Sequence, residues 1–198
     1  EWVPPTEILR RETVPDLWQS YWRVAPTVET VRADEDHGSA YVSVRALEVL
    51  RDAAALAVDR EKGDWEHLEK TARGLLKARP AMAAVRNRVN RVLSVASADG
   101  TPRAVEAAAT DAIAAALAAD RETATTAREY VADETVLTLS RSGTVREAFS
   151  VGEPAAVTVA ESRPGGEGVD VAADLAAAGH RVTLTTDANL PGAVADAT

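Results

Sequence analysis

The chain has 198 residues, a formal net charge of -9 and no cysteine, so it holds one to two domains with a real core, and disulfides, thiolate zinc sites and a cysteine nucleophile are excluded. The acidic balance argues against direct nucleic-acid binding or an anionic membrane surface as its main business. No uninterrupted apolar run approaches the ~18 residues of a membrane span and no basic-then-apolar leader is present, so a soluble, cytoplasmic protein is expected.

The chain begins at Glu1 and not at Met, and so reads as a piece of a longer protein. Residues 1–35 form an aromatic and proline-rich segment, with Trp2, Trp18, Trp22, Pro4, Pro5, Pro15 and Pro26. So dense an aromatic cluster should pack against something. The run Glu1 to Ile8, followed by a short helix from Pro15 to Trp22, looks like the closing strand and last helix of a Nudix hydrolase domain. The glutamate-rich catalytic helix of that family is nowhere in the chain. The competing expectation is a helical tail whose aromatics cover the neighbouring bundle.

Residues 36–132 read as a helical domain. Asp36 or Ser39 caps a helix running to about Arg60, with Val42, Leu47, Val49, Leu50 and Leu56 among its apolar positions. Lys62-Gly63-Asp64 breaks it, and Asp64 caps a second helix carrying Trp65, Leu68, Ala72, Leu75 and Leu76, ended by Arg79-Pro80. A third spans roughly Ala81 to Ala98, with Val85, Val89, Val92, Leu93 and Ala96 opposite Arg86, Arg88 and Arg91. After the turn Asp99-Gly100-Thr101, Pro102 opens a fourth, alanine-rich helix to Ala132, with Thr123 to Thr126 as its candidate interruption. His37 and His67 have no partner at a metal-ligand spacing and read as surface or capping residues; neither a metal nor a cofactor is expected.

After Asp133 the period changes. Val136 to Leu139 is a short strand, Ser140 to Thr144 a polar turn and Val145 to Phe149 a helical turn. Ala156 to Ala160 is a buried strand, ended by Pro164, Gly165, Gly166 and Gly168, and Val169 to Ala178 a helix closing at Gly179. Arg181 to Thr186 is a third strand, followed by Asp187 and a helix from about Asn189. This alternation describes parallel βαβ units in residues 133–198, so the fold class is α/β, a helical bundle followed by a partial Rossmann-like domain. Ligands in such sheets sit outside the carboxyl ends of the strands. That puts Ser140-Arg141-Ser142-Gly143, Glu161-Ser162-Arg163 and Thr186-Asp187 on one rim, in a common, positively biased hollow. A helix N-terminus beside Arg163 suits a phosphate or carboxylate. The plainer alternative is that Arg163 pairs with Glu161 or Glu167 on a turn.

The apolar set is mostly alanine and valine, and Lys62, Lys70 and Lys77 are the only lysines. Acidic surfaces, few lysines and small core residues resemble halophilic proteins, for which self-repulsion is tolerable because the Debye length in molar salt is about 3 Å.

The segments Val136 to Val145 (VLTLSRSGTV), Val159 to Gly168 (VAESRPGGEG) and Val182 to Ala188 (VTLTTDA), preceded by the helices, look like the family of the alpha, beta and delta subunits of translation initiation factor 2B. That family also contains methylthioribose-1-phosphate isomerase and ribose-1,5-bisphosphate isomerase. Arg79-Pro80 with Asn87 is similar to its Arg-Pro-Thr-Ala helix start. Departures separate the chain from the isomerases. Ser140 stands where they carry a catalytic cysteine, and His37-Gly38 where an arginine precedes the glycine. Their Gly-Ala-Asp and Asn-Lys segments are not found before Thr198. The resemblance therefore implies a non-catalytic regulatory module that keeps part of a sugar-phosphate or nucleotide-phosphate pocket and forms a homodimer or joins related subunits. Arg163 would be the principal anion ligand, with donors from Ser142, Gly143 and Thr144. Glu167 or Asp187 would take sugar hydroxyls, and Ser140, Arg141, Glu161 and Gly168 would complete the ligand-binding set. The alternative is an aldose-ketose isomerase in which Asp187 handles protons. A third class is a structural dimerisation module with no ligand.

Overall fold

The computed structural model describes residues 3–59, 65–139, 141–195 and 197. Contacts divide the chain into two compact units, Glu1–Leu117 and Ala118–Thr198.

The first unit is helical. Its core is built on α3 (Ser39–Asp59), which buries Val42, Ala46, Leu47, Val49, Leu50, Ala53, Ala54 and Ala57 against α4 (Trp65–Ala78) and α5 (Ala83–Ala96). Leu68, Ala72 and Leu75 of α4 and Val85, Val89 and Val92 of α5 meet it at the helical spacing read from the sequence. Complete burial of each such Leu or Val contributes about 1.5–3 kcal/mol. Short α1 (Leu17–Trp22) and α2 (Val28–Ala33) precede this bundle. Thr27 and Thr30 form a reciprocal capping box at the start of α2. Ahead of α3, Asp34 Oδ1 accepts the backbone N–H groups of Asp36 and His37, which closes the turn that leads into the helix. His37 itself is a half-exposed residue, with Nδ1 3.0 Å from Asp34 Oδ1 and its ring stacked on Tyr41. Lys62-Gly63-Asp64, Arg60 and Trp2 lie outside the described residues.

The N-terminal segment departs from the extended form expected for it. Pro5–Leu9 is a 3-10 helix, because Pro4 and Pro5 fix φ and Pro5 sits at the first helical position. Nor are Trp18 and Trp22 sunk into the bundle. Trp18 packs on Tyr21 and Trp22, and α1 buries no residue. Polar contacts hold the segment. Arg10 makes a two-pronged pair with Glu106, and the Tyr21 hydroxyl donates to Asp52 Oδ2 at 2.5 Å while accepting from Arg51.

The helix α6 (Pro102–Val131) is continuous, against the interruption expected at Thr123 to Thr126. Those hydroxyls do not compete with the helix but bond along it. Thr123, Thr125 and Thr126 each donate to the carbonyl four residues back, on Ala119, Arg121 and Glu122. The edge between the two units falls inside α6 and not at its end. Past Leu117 the helix packs with the sheet elements: Val131 lies against their core, and a Cβ on Gly152 would overlap its side chain.

The second unit is an all-parallel sheet in the order β1 (Thr135–Thr138), β2 (Ala156–Ala160), β3 (Val182–Thr185). Thr138 pairs with Val159, and Val159 with Leu184. The crossovers are α7 (Gly143–Gly152) and α8 (Glu167–Ala177), and α9 (Leu190–Ala195) follows β3. α7 is a full helix where the sequence suggested one turn, because Ser142 caps it by accepting from Val145 N–H. Val157 and Val159 on the central strand pack with Phe149, Val171, Ala172 and Leu175. The α/β architecture is thus as the sequence implies. Among the described residues no helix is long and apolar enough to cross a membrane.

Candidate functional site

Parallel pairing in the order β1-β2-β3 brings the carboxyl ends of the three strands to one edge of the sheet. The loops that leave them are tied together by hydrogen bonds that join residues far apart in sequence. Ser162 Oγ, after β2, donates to the carbonyl of Leu139, after β1, at 2.8 Å. Asp187, after β3, accepts from two successive backbone groups of the β2 loop: Ser162 N–H to Oδ1 at 2.9 Å and Arg163 N–H to Oδ2 at 2.6 Å.

Local geometry explains why these residue types sit here. Ser162 has φ 60 and Gly166 φ 75, both left-handed, and the Arg163-Pro164 peptide is cis. Gly166 N–H returns to the Ser162 carbonyl at 2.7 Å, closing the turn that delivers α8. Gly168 is buried against the end of β2. A Cβ there would overlap the Ala160 carbonyl oxygen and stand 2.8 Å from its carbon, so only glycine admits this approach of helix to strand.

The candidate residues divide by what they touch. Arg163 and Glu161 form an ion pair, Nε to Oε2 at 3.2 Å, the plainer pairing anticipated, and Glu167 is not the partner. The Arg163 side chain remains 67% exposed. Ser142 spends its oxygen on the α7 cap. Thr144 Oγ1 donates to Asp120 Oδ1 on α6 at 3.3 Å, a contact between residues 24 apart that nothing in the local sequence signals. Gly143 opens α7 with open space where a Cβ would stand, and Arg141 is partly buried at the same edge. Ser140 lies outside the described residues. Charge differs from the expectation of a positively biased hollow. The described rim carries the carboxylates Glu161, Glu167 and Asp187, from the loops after β2 and β3, beside the guanidiniums Arg141 and Arg163. Ser162 is the residue sequence reasoning undervalued. It links all three loops, and its signal, a non-glycine residue forced into the left-handed region, is visible only in the backbone.

Such a rim offers backbone and hydroxyl donors, exposed guanidinium and several carboxylates.

The model of the initiation factor 2 subunit family matches residues 35–194. No curated protein sequence matches significantly. Among solved structures, the chain is similar to translation initiation factor eIF-2B of Pyrococcus horikoshii OT3, at 21% identity and TM-score 0.69, covering 82% of this chain and 58% of that one. It is similar to eIF-2B subunit delta of A. fulgidus, at 23% identity and TM-score 0.60, covering 82% and 54%. The tetrameric eIF2B-beta2-delta2 complex of C. thermophilum shares the fold at 16% identity and TM-score 0.56, covering 91% and 63%. The chain therefore spans between 54% and 63% of the length of these structures, and at such identities the likeness is one of fold. The family match takes in the helices from α3 onward, all three strands and the loops of the rim, and the chain belongs to the initiation factor 2 subunit family.

Proposed function

We propose that the protein is a non-catalytic, initiation factor 2B-like binding module whose rim takes a phosphorylated sugar or nucleotide. The observation that carries this reading is the joining of the three strand-end loops through Ser162 and Asp187, which holds Arg163 at the sheet edge. Arg163 is the principal phosphate ligand. Its pair with Glu161 is solvent-exposed and worth about 0–1 kcal/mol, which a phosphate dianion can outbid through a two-pronged contact. Glu161 and Glu167 then accept the hydroxyls, while Ser140, Arg141, Gly143 and Thr144 complete the donor set.

Two observations favour this over aldose-ketose isomerisation. The nucleophilic position is a serine, Ser140, in a chain without cysteine. Asp187, the residue that would move protons, has each carboxylate oxygen engaged by a backbone N–H. The likeness to a beta–delta tetramer supports assembly with a second copy or with related subunits. The acidic, lysine-poor composition supports a halophilic setting.

Calorimetric titration of the protein and of Arg163→Ala with ribose 5-phosphate and with adenosine monophosphate tests the reading. Binding by the protein that falls about tenfold or more in the variant is expected, the scale of one charge-assisted anchor. Equal binding by both removes Arg163 as the anchor. An absence of binding by either leaves a structural dimerisation module, and conversion of an aldose phosphate to its ketose would establish the isomerase.

A further inference from the structure

Asp187 sits where a sugar hydroxyl acceptor or a proton carrier would be sought, yet its geometry assigns it different work. Its two carboxylate oxygens are divided between two consecutive backbone donors of another loop, Ser162 N–H at 2.9 Å and Arg163 N–H at 2.6 Å. Each is a charge-assisted bond, and the pair fixes the peptide on both sides of the Ser162 α-carbon. That peptide needs fixing. Ser162 is held at φ 60, a conformation that an L residue with a side chain adopts at a cost of about 1–2 kcal/mol, so it persists only where surrounding contacts over-determine it.

Those contacts can be named. Ser162 Oγ is anchored to the Leu139 carbonyl, and the Ser162 carbonyl accepts from Gly166 N–H. Gly168 N–H donates to the Glu161 carbonyl at 3.2 Å, and the tight approach of Gly168 to Ala160 stops the loop from settling toward the strand. Asp187 supplies the remaining restraint, from the next strand, and does so at the residue that carries the guanidinium.

We propose that Asp187 is the positioning residue of the rim. It holds the backbone of Arg163 so that the guanidinium is presented to phosphate, and it does not itself contact the ligand. This rests on the reading of the rim as a phosphate site. It also means that the Ser162 and Arg163 amides are already satisfied by an internal carboxylate, so phosphate recognition falls to the Arg163 side chain and the donors of the loop after β1, and hydroxyl recognition to Glu161 and Glu167.

The nearly isosteric Asp187→Asn variant separates the roles, because an amide keeps one acceptor and turns an N–H group toward the other donor. Binding of inorganic phosphate and of ribose 5-phosphate is measured on the protein and the variant, beside amide proton spectra and hydrogen exchange. A positioning residue weakens both ligands by the same factor, about tenfold. It also moves the Ser162 and Arg163 amide resonances and speeds exchange across 161–166, while Glu1–Leu117 is unaffected. A loss confined to ribose 5-phosphate, with those amides unmoved, overturns the proposal and makes Asp187 a hydroxyl contact. Unchanged binding of both ligands overturns it as well. Should the unaltered protein bind neither ligand, the phosphate-site reading fails, and the part of this proposal that concerns affinity fails with it. The amide spectra then still decide whether Asp187 holds the loop.

Discussion

Gly168 and Gly143 both lie at helix starts on the rim, and what stands beside each separates them. A methyl group at Gly168 meets the Ala160 carbonyl, a backbone atom that cannot step aside, whereas nothing lies within 4 Å of the Cβ position at Gly143. Gly168→Ala should therefore cost about 3 kcal/mol, at the upper end of overpacking penalties, because α8 must lift from β2. Gly143→Ala should change stability by about 0.5 kcal/mol or less. Urea unfolding of the two variants, followed by circular dichroism, checks the contrast; comparable midpoints would mean that the approach of helix to strand is not tight. The sequence made this loop legible as a turn through Pro164, Gly165, Gly166 and Gly168. It could not say which glycine is required by contact, since that depends on a carbonyl eight residues earlier brought alongside by the fold. The same holds for Asp187. Its place at the rim follows from strand order, but its partners are main-chain groups that carry no residue signature.

At the scale of elements, legibility follows the physical origin of the signal. Helices α3, α4 and α5 were readable because their apolar residues recur at helical spacing, and β2 because a strand covered on both faces is a run of β-branched and small residues. α6 was misjudged near Thr123 because threonine has two outlets, a break in the helix or a bond to the carbonyl four residues back, and composition does not choose between them. α1 was misjudged for a related reason. Its aromatics suggested burial, but the element is docked through Tyr21, whose hydroxyl meets the buried pair of Arg51 and Asp52. Burial and the bond to Asp52 both push the Tyr21 hydroxyl pKa well above the ordinary tyrosine value, so it remains a donor throughout the working pH range. Tyr21→Phe keeps the ring and removes only that donor, leaving Asp52, 1% exposed, with Arg51 as its remaining side-chain partner among the described residues. A loss of about 1–3 kcal/mol is expected, the cost of an under-satisfied buried carboxylate. Denaturant unfolding followed by tryptophan emission reads it, since Trp18 and Trp22 ride on α1. A change well below that range would place the docking of α1 in its ring contacts.

For the molecule as a whole, the α/β order was legible because helices followed by strand–helix alternation admit few architectures. The edge between units was not, because α6 belongs to both and its period does not change at Leu117. Net charge is the property that acts at this scale. The chain carries 31 acidic and 22 basic residues, so the compact state brings like charges closer together than the unfolded chain does. Screening shortens the reach of that repulsion from about 8 Å at physiological ionic strength to about 3 Å in molar salt. The same screening weakens exposed pairs such as Arg11–Glu7 and Arg73–Glu69, each worth about 0.2–1 kcal/mol, so the sign of the salt effect tells which contribution is larger. With acids in excess, repulsion should win, and the thermal midpoint at pH 7 should rise as potassium chloride is taken from tenths of molar to molar. A general strengthening of apolar burial by salt would raise it too, and pH separates the two causes. Near the pI of about 4.9 the net charge vanishes and there is little repulsion left to screen. The rise seen at pH 7 should therefore shrink or reverse at pH 5. A rise of equal size at both pH values would assign the salt effect to burial, and an unchanged midpoint at pH 7 would remove the halophilic reading.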